Sequence, residues 1–175
     1  MKVIAFTGLP GSGKSEAVNV AKEMGIKVVR MGDEIRKEAR KMGLELNDKN
    51  LGKIADEMRR EHGMDIWARR CLPEIKNDMV IIDGIRNIEE VELFRQHIKN
   101  FILIAIHASP NTRYERMMKR GREDDSLSEE DLKERDEREL RWGIGNAVAM
   151  ADIVVANEGS LDEFRKKIKK ILEGN

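Results

Sequence analysis

Apolar residues in this chain collect in five short runs separated by long charged stretches. Val3 to Thr7 (VIAFT) and residues 26–31 (IKVVRM), 79–83 (MVIID), 101–108 (FILIAIHA) and 152–156 (DIVVA) are too short for stable helices and rich in β-branched residues. They therefore predict five buried strands. Ser15 to Met24 carries apolar residues at helical spacing and ends at Gly25, a suitable C-cap. A second amphipathic helix is expected over Ser160–Leu172, with Leu161, Phe164, Ile168, Ile171 and Leu172 on its inner side. Short buried strands alternating with helices predict an α/β fold built on a five-stranded parallel sheet covered on both faces.

Two stretches exceed what a simple crossover needs. Residues 33–77, between the second and third strands, suggest two or three helices broken around Gly43–Asn47 and at His62–Gly63. Residues 119–141, after the fourth strand, form an intensely charged helical segment. Both are expected to stand over the carboxyl ends of the strands, where open parallel sheets bind ligands. With no repeat, low-complexity run or linker, residues 1–175 are expected to form one domain.

Composition narrows the partners. The chain has 175 residues, 40% of them hydrophobic, and 33 basic residues balance 33 acidic ones for a net charge of zero. Such a chain has no overall field to draw in nucleic acid or an anionic membrane, so direct nucleic-acid binding is not expected. No apolar run approaches the roughly 20 residues that span a bilayer, and MKVIAFTG is too short for a leader. A single cysteine, Cys71, excludes an internal disulfide framework, so a cytoplasmic monomer or dimer is the expectation. Charged residues make up 38% of the chain and Gln96 is its only glutamine, a tendency of hyperthermophile proteins.

The chemistry is concentrated at Gly8–Ser15, GLPGSGKS, which fits G-x-x-x-x-G-K-[ST] between a strand and a helix. Its glycines let backbone N–H groups turn inward around a phosphate, and the following helix points its positive end there. Lys14 is placed to reach the β- and γ-phosphates and the Ser15 hydroxyl to meet Mg²⁺. Neither the N-K-x-D that reads guanine nor a γ-phosphate-sensing D-x-x-G occurs, which excludes a GTP switch. Asp83 is followed by glycine rather than glutamate, which argues against a motor ATPase.

Other charged residues carry two readings each. Asp83 closes its strand level with the loop, as a Mg²⁺-holding carboxylate or as half of a turn with Gly84. Arg86 in DGIR suits an anionic acceptor or is a solvated surface arginine. In MGDEIRKEA, Asp33 reads as an N-cap and Arg36, a turn later, as a holder of a second substrate's phosphate or part of a charged helix start. Asp33 is also the candidate base should the acceptor be a hydroxyl. The run Arg113, Arg116, Lys119, Arg120, Arg122 is nearly uncompensated and suits a cationic cover over a transferring phosphoryl group. The alternating acids and bases of SLSEEDLKERDEREL read instead as a solvated, ion-paired face. His62, His97 and His107 lack metal-like spacing, and Trp67 reads as core, with stacking on a nucleobase the minority option.

GLPGSGKS, MGDEIR, DGIR and RMMKRGREDD, in this order, resemble the nucleoside monophosphate kinase superfamily of P-loop kinases. Adenylate and UMP/CMP kinases carry G-D-x-x-R, D-G-[FY]-P-R and a lid opening G-R-x-D-D. The ending ADIVVANEGSLDEFRKKI is more similar to dephospho-CoA kinase, and SPNTRYERMMKR to the helix before the lid in both. Over essentially its full length the chain looks most like an archaeal group of adenylate-kinase-like, dephospho-CoA-kinase-related proteins. The resemblance implies a P-loop kinase sheet with an acceptor-binding insertion at 33–77 and a lid at 119–141, and ATP with Mg²⁺ as cofactors. It places Gly8, Leu9, Pro10, Gly11, Ser12, Gly13, Lys14 and Ser15 on the ATP phosphates, Asn157 near the adenine, and Ser15 and Asp83 on Mg²⁺. Arg36 and Arg86, with Asp33 beside them, would serve the acceptor, while Arg116, Arg120, Arg122 and Arg135 would join Lys14 in catalysis. DGIR lacks the family's proline and brings its arginine one residue sooner, and two extra residues separate GREDD from KER. RWGIGNA (141–147) has no counterpart and reads as a hinge, an acceptor contact, or a packed Trp at a helix break.

The expected activity is transfer from Mg-ATP to a small phosphate-bearing acceptor, a nucleoside monophosphate or dephospho-CoA. The alternatives are a kinase-like ATP-binding regulatory or assembly factor with slow ATPase activity, and a kinase for a metabolite lacking phosphate.

Overall fold

A computed structural model describes residues 1–120 and 128–174. Its strands are β1 (Lys2–Thr7), β2 (Lys27–Arg30), β3 (Met79–Ile85), β4 (Phe101–His107) and β5 (Ile153–Ala156). All pairings are parallel, in the order β2-β3-β1-β4-β5. The expected α/β class and five-stranded parallel sheet are therefore present, flanked by helices.

Around the sheet lie α1 (Lys14–Glu23), α2 (Met31–Lys41), α3 (Asp48–His62), α4 (Ile66–Cys71), a 3₁₀ turn (Leu72–Glu74), α5 (Ile88–His97), α6 (Pro110–Arg120), α7 (Glu129–Trp142), α8 (Ile144–Ala149) and α9 (Leu161–Glu173). Alternation along the strands divides the core. Val3 and Ala5 of β1, with Val80 and Ile82 of β3, face one layer that includes Ala39, Ile54, Trp67 and Phe94. Ile4 and Phe6, with Ile81, face the other, closed by Ala17, Val18 and Val20 of α1 and Phe164, Ile168 and Leu172 of α9. Phe6 pairs with Asp83 and with Ile104, and Arg30 pairs with Asp83, so these strand ends finish level with one another.

The insertion at 33–77 resolves into α2, α3 and α4, broken where glycines 43 and 63 adopt positive φ. Several local expectations change. Met31 is core and opens α2 instead of ending β2, and Asp33 lies inside the first turn while Arg30 occupies the cap position. Leu161, read as inward, is exposed at the first turn of α9. Trp67 is fully buried and donates its Nε1–H to the Ala55 carbonyl at 3.4 Å, which removes it from any nucleobase. Cys71 is fully buried. RWGIGNA resolves as a helix break with a packed Trp: Gly143, at φ 100°, ends α7 and starts α8, and Trp142 donates to Asp56 at 3.1 Å.

Candidate active site

The phosphate loop is built where β1 turns into α1, and two of its glycines are steric requirements. A Cβ on Gly8 (φ +143°) would lie 2.2 Å from the Ile106 carbonyl oxygen, and one on Gly13 (φ +115°) 2.3 Å from Asn157 Nδ2. No L side chain fits either position. Side chains from distant elements then fix the loop backbone. Asn157 Nδ2 donates to the Ser12 carbonyl at 2.9 Å, and Arg116 Nη2 donates to the Asn157 carbonyl at 2.8 Å. Thr7 Oγ1 donates to the Ile85 carbonyl at 3.0 Å. Arg113, 2% exposed, donates to the Pro10 carbonyl at 3.0 Å and the Ala108 carbonyl at 3.2 Å. The same guanidinium grips Asp136 of α7 through two bonds of 2.8 and 2.6 Å. Arg113, read as part of the cationic cover, is thus a buried brace for the loop.

Lys14 Nζ donates to the carbonyls of Gly8 and Leu9. Burial, then the neighbouring Arg86, pulls its pKa down to about 7, against the opposing pull of Glu139 and Asp83. The Ser12 hydroxyl is buried in the loop with no protein partner among the described residues. A buried donor of this kind is costly unless something else meets it, and a phosphate oxygen in the cradle suits it.

Above the loop opens a cleft of about 650 Å³. From the β2–β3 side it is lined by Arg30, Gly32, Arg36, Asp83, Gly84 and Arg86, and from α6 and α7 by Arg116, Arg120 and Arg135. Asn157, Gly159, Leu161 and Phe164 line the β5–α9 side, giving it an apolar patch. Lys14 and six arginines thus face Glu16 and Asp83 in one cavity, an excess of positive charge in a protein of zero net charge. Asp83 lies one residue short of Gly84 (φ +110°), with Arg30 Nε 3.7 Å from its Oδ2. Arg86 follows β3 directly, and its N–H donates to buried Glu90 at 2.6 Å. Glu90 also accepts from Arg59 at 3.0 Å, while burial raises its pKa. Arg36 pairs with Asp33 at 3.1 Å, and Asp33 itself does not line the cleft. Arg122 lies outside the described residues.

No group of three or more His, Cys, Asp or Glu side chains that could hold a metal occurs among the described residues. Ser15 and Asp83, both lining the cleft, fit a different arrangement. Mg²⁺ commonly takes one or two protein oxygens and completes its shell with waters and phosphates. The unpartnered Ser12 hydroxyl and the glycine cradle likewise fit a polyphosphate.

A family model described as an AAA domain matches residues 7–133. The UPF0200 protein of Methanosarcina mazei is 49% identical over 176 residues, covering 98% of this chain and 94% of that one. The chain belongs to the UPF0200 family. Another relative, from Methanocaldococcus jannaschii, is 47% identical across 99% of this chain and 90% of its own. Among solved structures, TT1252 from Thermus thermophilus superposes with a TM-score of 0.67 at 21% identity, covering 99% of this chain and 97% of that one. A shikimate kinase from Acinetobacter baumannii gives 0.62 at 17% identity, covering 100% and 94%. A gluconokinase from Sinorhizobium meliloti gives 0.61 at 16% identity, covering 99% and 92%. The UPF0200 chain therefore has a P-loop kinase-like fold.

Its charge-alternating α7 holds the residues that sequence reading passed over. Leu132, Asp136, Glu139 and Trp142 are its buried positions. Their spacing of four, three and three is the signature of an inward helical stripe, so periodicity contained the signal and charge hid it. Asp136 holds Arg113, and Glu139 lies 3.2 Å from Arg86 Nε. From α3, Asp48 meets Arg135 at 3.3 Å and Arg138 at 2.9 Å. The expected solvated face of SLSEEDLKERDEREL thus includes three buried positions among its described residues, Leu132, Asp136 and Glu139.

Proposed function

We propose that this UPF0200 protein is a Mg-ATP-dependent phosphotransferase acting on a small phosphate-bearing acceptor, of the nucleoside monophosphate or dephospho-CoA class. The observation that carries this reading is that one cleft is lined both by Gly11, Gly13, Lys14 and Ser15 of the loop and by Arg36 and Arg86. A donor cradle that shares its cleft with further arginines suits two anionic partners better than one.

Bound ATP with Mg²⁺ supplies the transferable phosphoryl group and neutralises part of its charge. The loop amides and the α1 N-terminus hold the donor phosphates, and Lys14 leaves the Gly8 and Leu9 carbonyls to meet them. Ser15 and Asp83 would hold the Mg²⁺. Leu161 and Phe164, beside Asn157, offer apolar surface to the adenine. Arg116, Arg120 and Arg135 counter the charge that spreads over the transferring oxygens. Arg36 and Arg86 orient the acceptor. A phosphate-oxygen nucleophile needs no strong base, in keeping with an Asp33 whose side chain is 54% exposed.

A second reading comes from the fold neighbours named as shikimate kinase and gluconokinase. A guanidinium fork accepts a carboxylate as readily as a phosphate. The test is incubation with Mg-ATP and a panel of nucleoside monophosphates, dephospho-CoA, shikimate and gluconate, read by mass for a gain of one phosphate. Product from a monophosphate or dephospho-CoA supports the proposal, and product only from a hydroxy acid favours the second reading. ATP hydrolysis without any phosphorylated product would replace both with the regulatory-factor reading.

A further inference from the structure

One buried group in the molecule has no part in the scheme above. Glu139 is 3% exposed and sits on the inward stripe of α7. Its carboxylate reaches two cleft arginines that come from different parts of the chain. Oε2 lies 3.2 Å from Arg86 Nε, and Oε1 lies 3.9 Å from Arg135 Nε. Lys14 and Arg138 also act on it electrostatically, and together these cations hold its carboxyl below the usual range although burial alone would raise it. Glu139 is therefore an anion at the back of a cationic cavity.

We propose that Glu139 is a positioning residue: a resident counter-anion that fixes the angle and spacing of Arg86 and Arg135 across the cleft. It forms ion pairs with both guanidiniums. The Nη1 of Arg86 is held in turn by the Ile85 carbonyl at 3.2 Å and its N–H by Glu90 at 2.6 Å. The Arg86 guanidinium is thus held by the Glu139 ion pair and the Ile85 carbonyl while Glu90 anchors its backbone, which is the preorganisation that a planar donor needs to meet a transition state without rearranging. Without Glu139, two guanidiniums and Lys14 would repel one another at short range in a low-dielectric pocket. Because α7 also supplies Asp136 to the loop brace, one helix sets both the donor cradle and the opposing arginines.

The proposal rests on the phosphotransfer reading, so its test has a part independent of turnover. Glu139→Gln keeps the shape and removes the charge; Glu139→Asp keeps the charge and draws it back by one methylene. The kinetic expectation for Glu139→Gln is a kcat lower by about tenfold to a hundredfold with KM for ATP and acceptor unchanged or lower. Glu139→Asp should recover part of the loss. Independently, calorimetry with inorganic pyrophosphate should show Glu139→Gln binding it about two- to tenfold more tightly, because an anion facing the site is gone. A merely structural glutamate would weaken pyrophosphate binding as the site loosened, and would leave no split between kcat and KM. A folded Glu139→Gln protein with kcat within about twofold of the parent overturns the proposal, as does weaker pyrophosphate binding. If the parent transfers to no acceptor, the phosphotransfer reading fails while the pyrophosphate result still decides whether Glu139 faces the anion site.

Discussion

Replacing Asp136 with leucine should strip the buried Arg113 of its only carboxylate among the described residues. Arg113 is 2% exposed and Asp136 7% exposed, and two bonds of 2.8 and 2.6 Å join them. Breaking a buried pair by removing one partner costs about 3–5 kcal/mol, because the remaining charge stays buried without compensation. The Pro10 and Ala108 carbonyls still accept from Arg113, which keeps the expectation toward the lower end. At about 2–4 °C per kcal/mol for a chain of this size, the melting midpoint should fall by roughly 6–20 °C. Calorimetric melts and urea titration measure it. The double variant Arg113→Met with Asp136→Leu removes both charges and should recover to within about 1 kcal/mol of the parent. It should bind ATP poorly, since Arg113 then no longer holds the Pro10 carbonyl of the phosphate loop. A single-variant loss under about 1 kcal/mol, or a double variant with parental ATP affinity, would refute the brace.

Three further outcomes are expected. Lys14→Ala should lower transfer by at least about a hundredfold with little change in melting, and full activity in that variant would remove the donor site from the loop. Because the pKa of Lys14 is pulled down to about 7, the unfolded chain binds a proton that the native state lacks between there and the ordinary lysine range. Its contribution to stability therefore rises with pH through that window, and Lys14→Met should flatten the rise in urea midpoints measured from about pH 6.5 to 9.5. Cys71 is buried with its thiol pushed up to about 12, so at pH 8 only roughly one thiol in ten thousand is ionised. Alkylation by iodoacetamide should thus follow unfolding, and stoichiometric labelling of the folded protein within minutes would contradict the burial.

The sheet was legible in the sequence because strands buried on both faces are continuous apolar runs, and VIAFT and FILIAI have no competing period. The phosphate loop was legible because its glycines answer a local steric demand that pattern alone expresses. Boundaries slipped where neighbouring elements share a residue type: Met31 looks like a strand end and is the buried start of α2. Leu161 looked inward because helical phase places it with Phe164 and Ile168, yet at the start of α9 it is exposed and lines the cleft. The deeper miss was α7. A single sequence does not say which acids in RDERELRW have cations waiting on another element. Asp136 and Glu139 are interior only because Arg113 and Arg86, 23 and 53 positions earlier, fold against them.

The position of β1 in the middle of the sheet has a consequence for biosynthesis. Its two neighbours are β3 and β4, and the first paired residues, Lys2 and Met79, are 77 positions apart. At about 5–20 residues per second, β1 leaves the ribosome roughly 4–15 s before β3 is complete. During that interval the apolar VIAF segment and the phosphate loop it carries have no sheet to join, and β2, made in the meantime, pairs with β3 rather than with β1. The nascent chain thus holds its central strand and the phosphate loop in waiting until most of the protein has been synthesised.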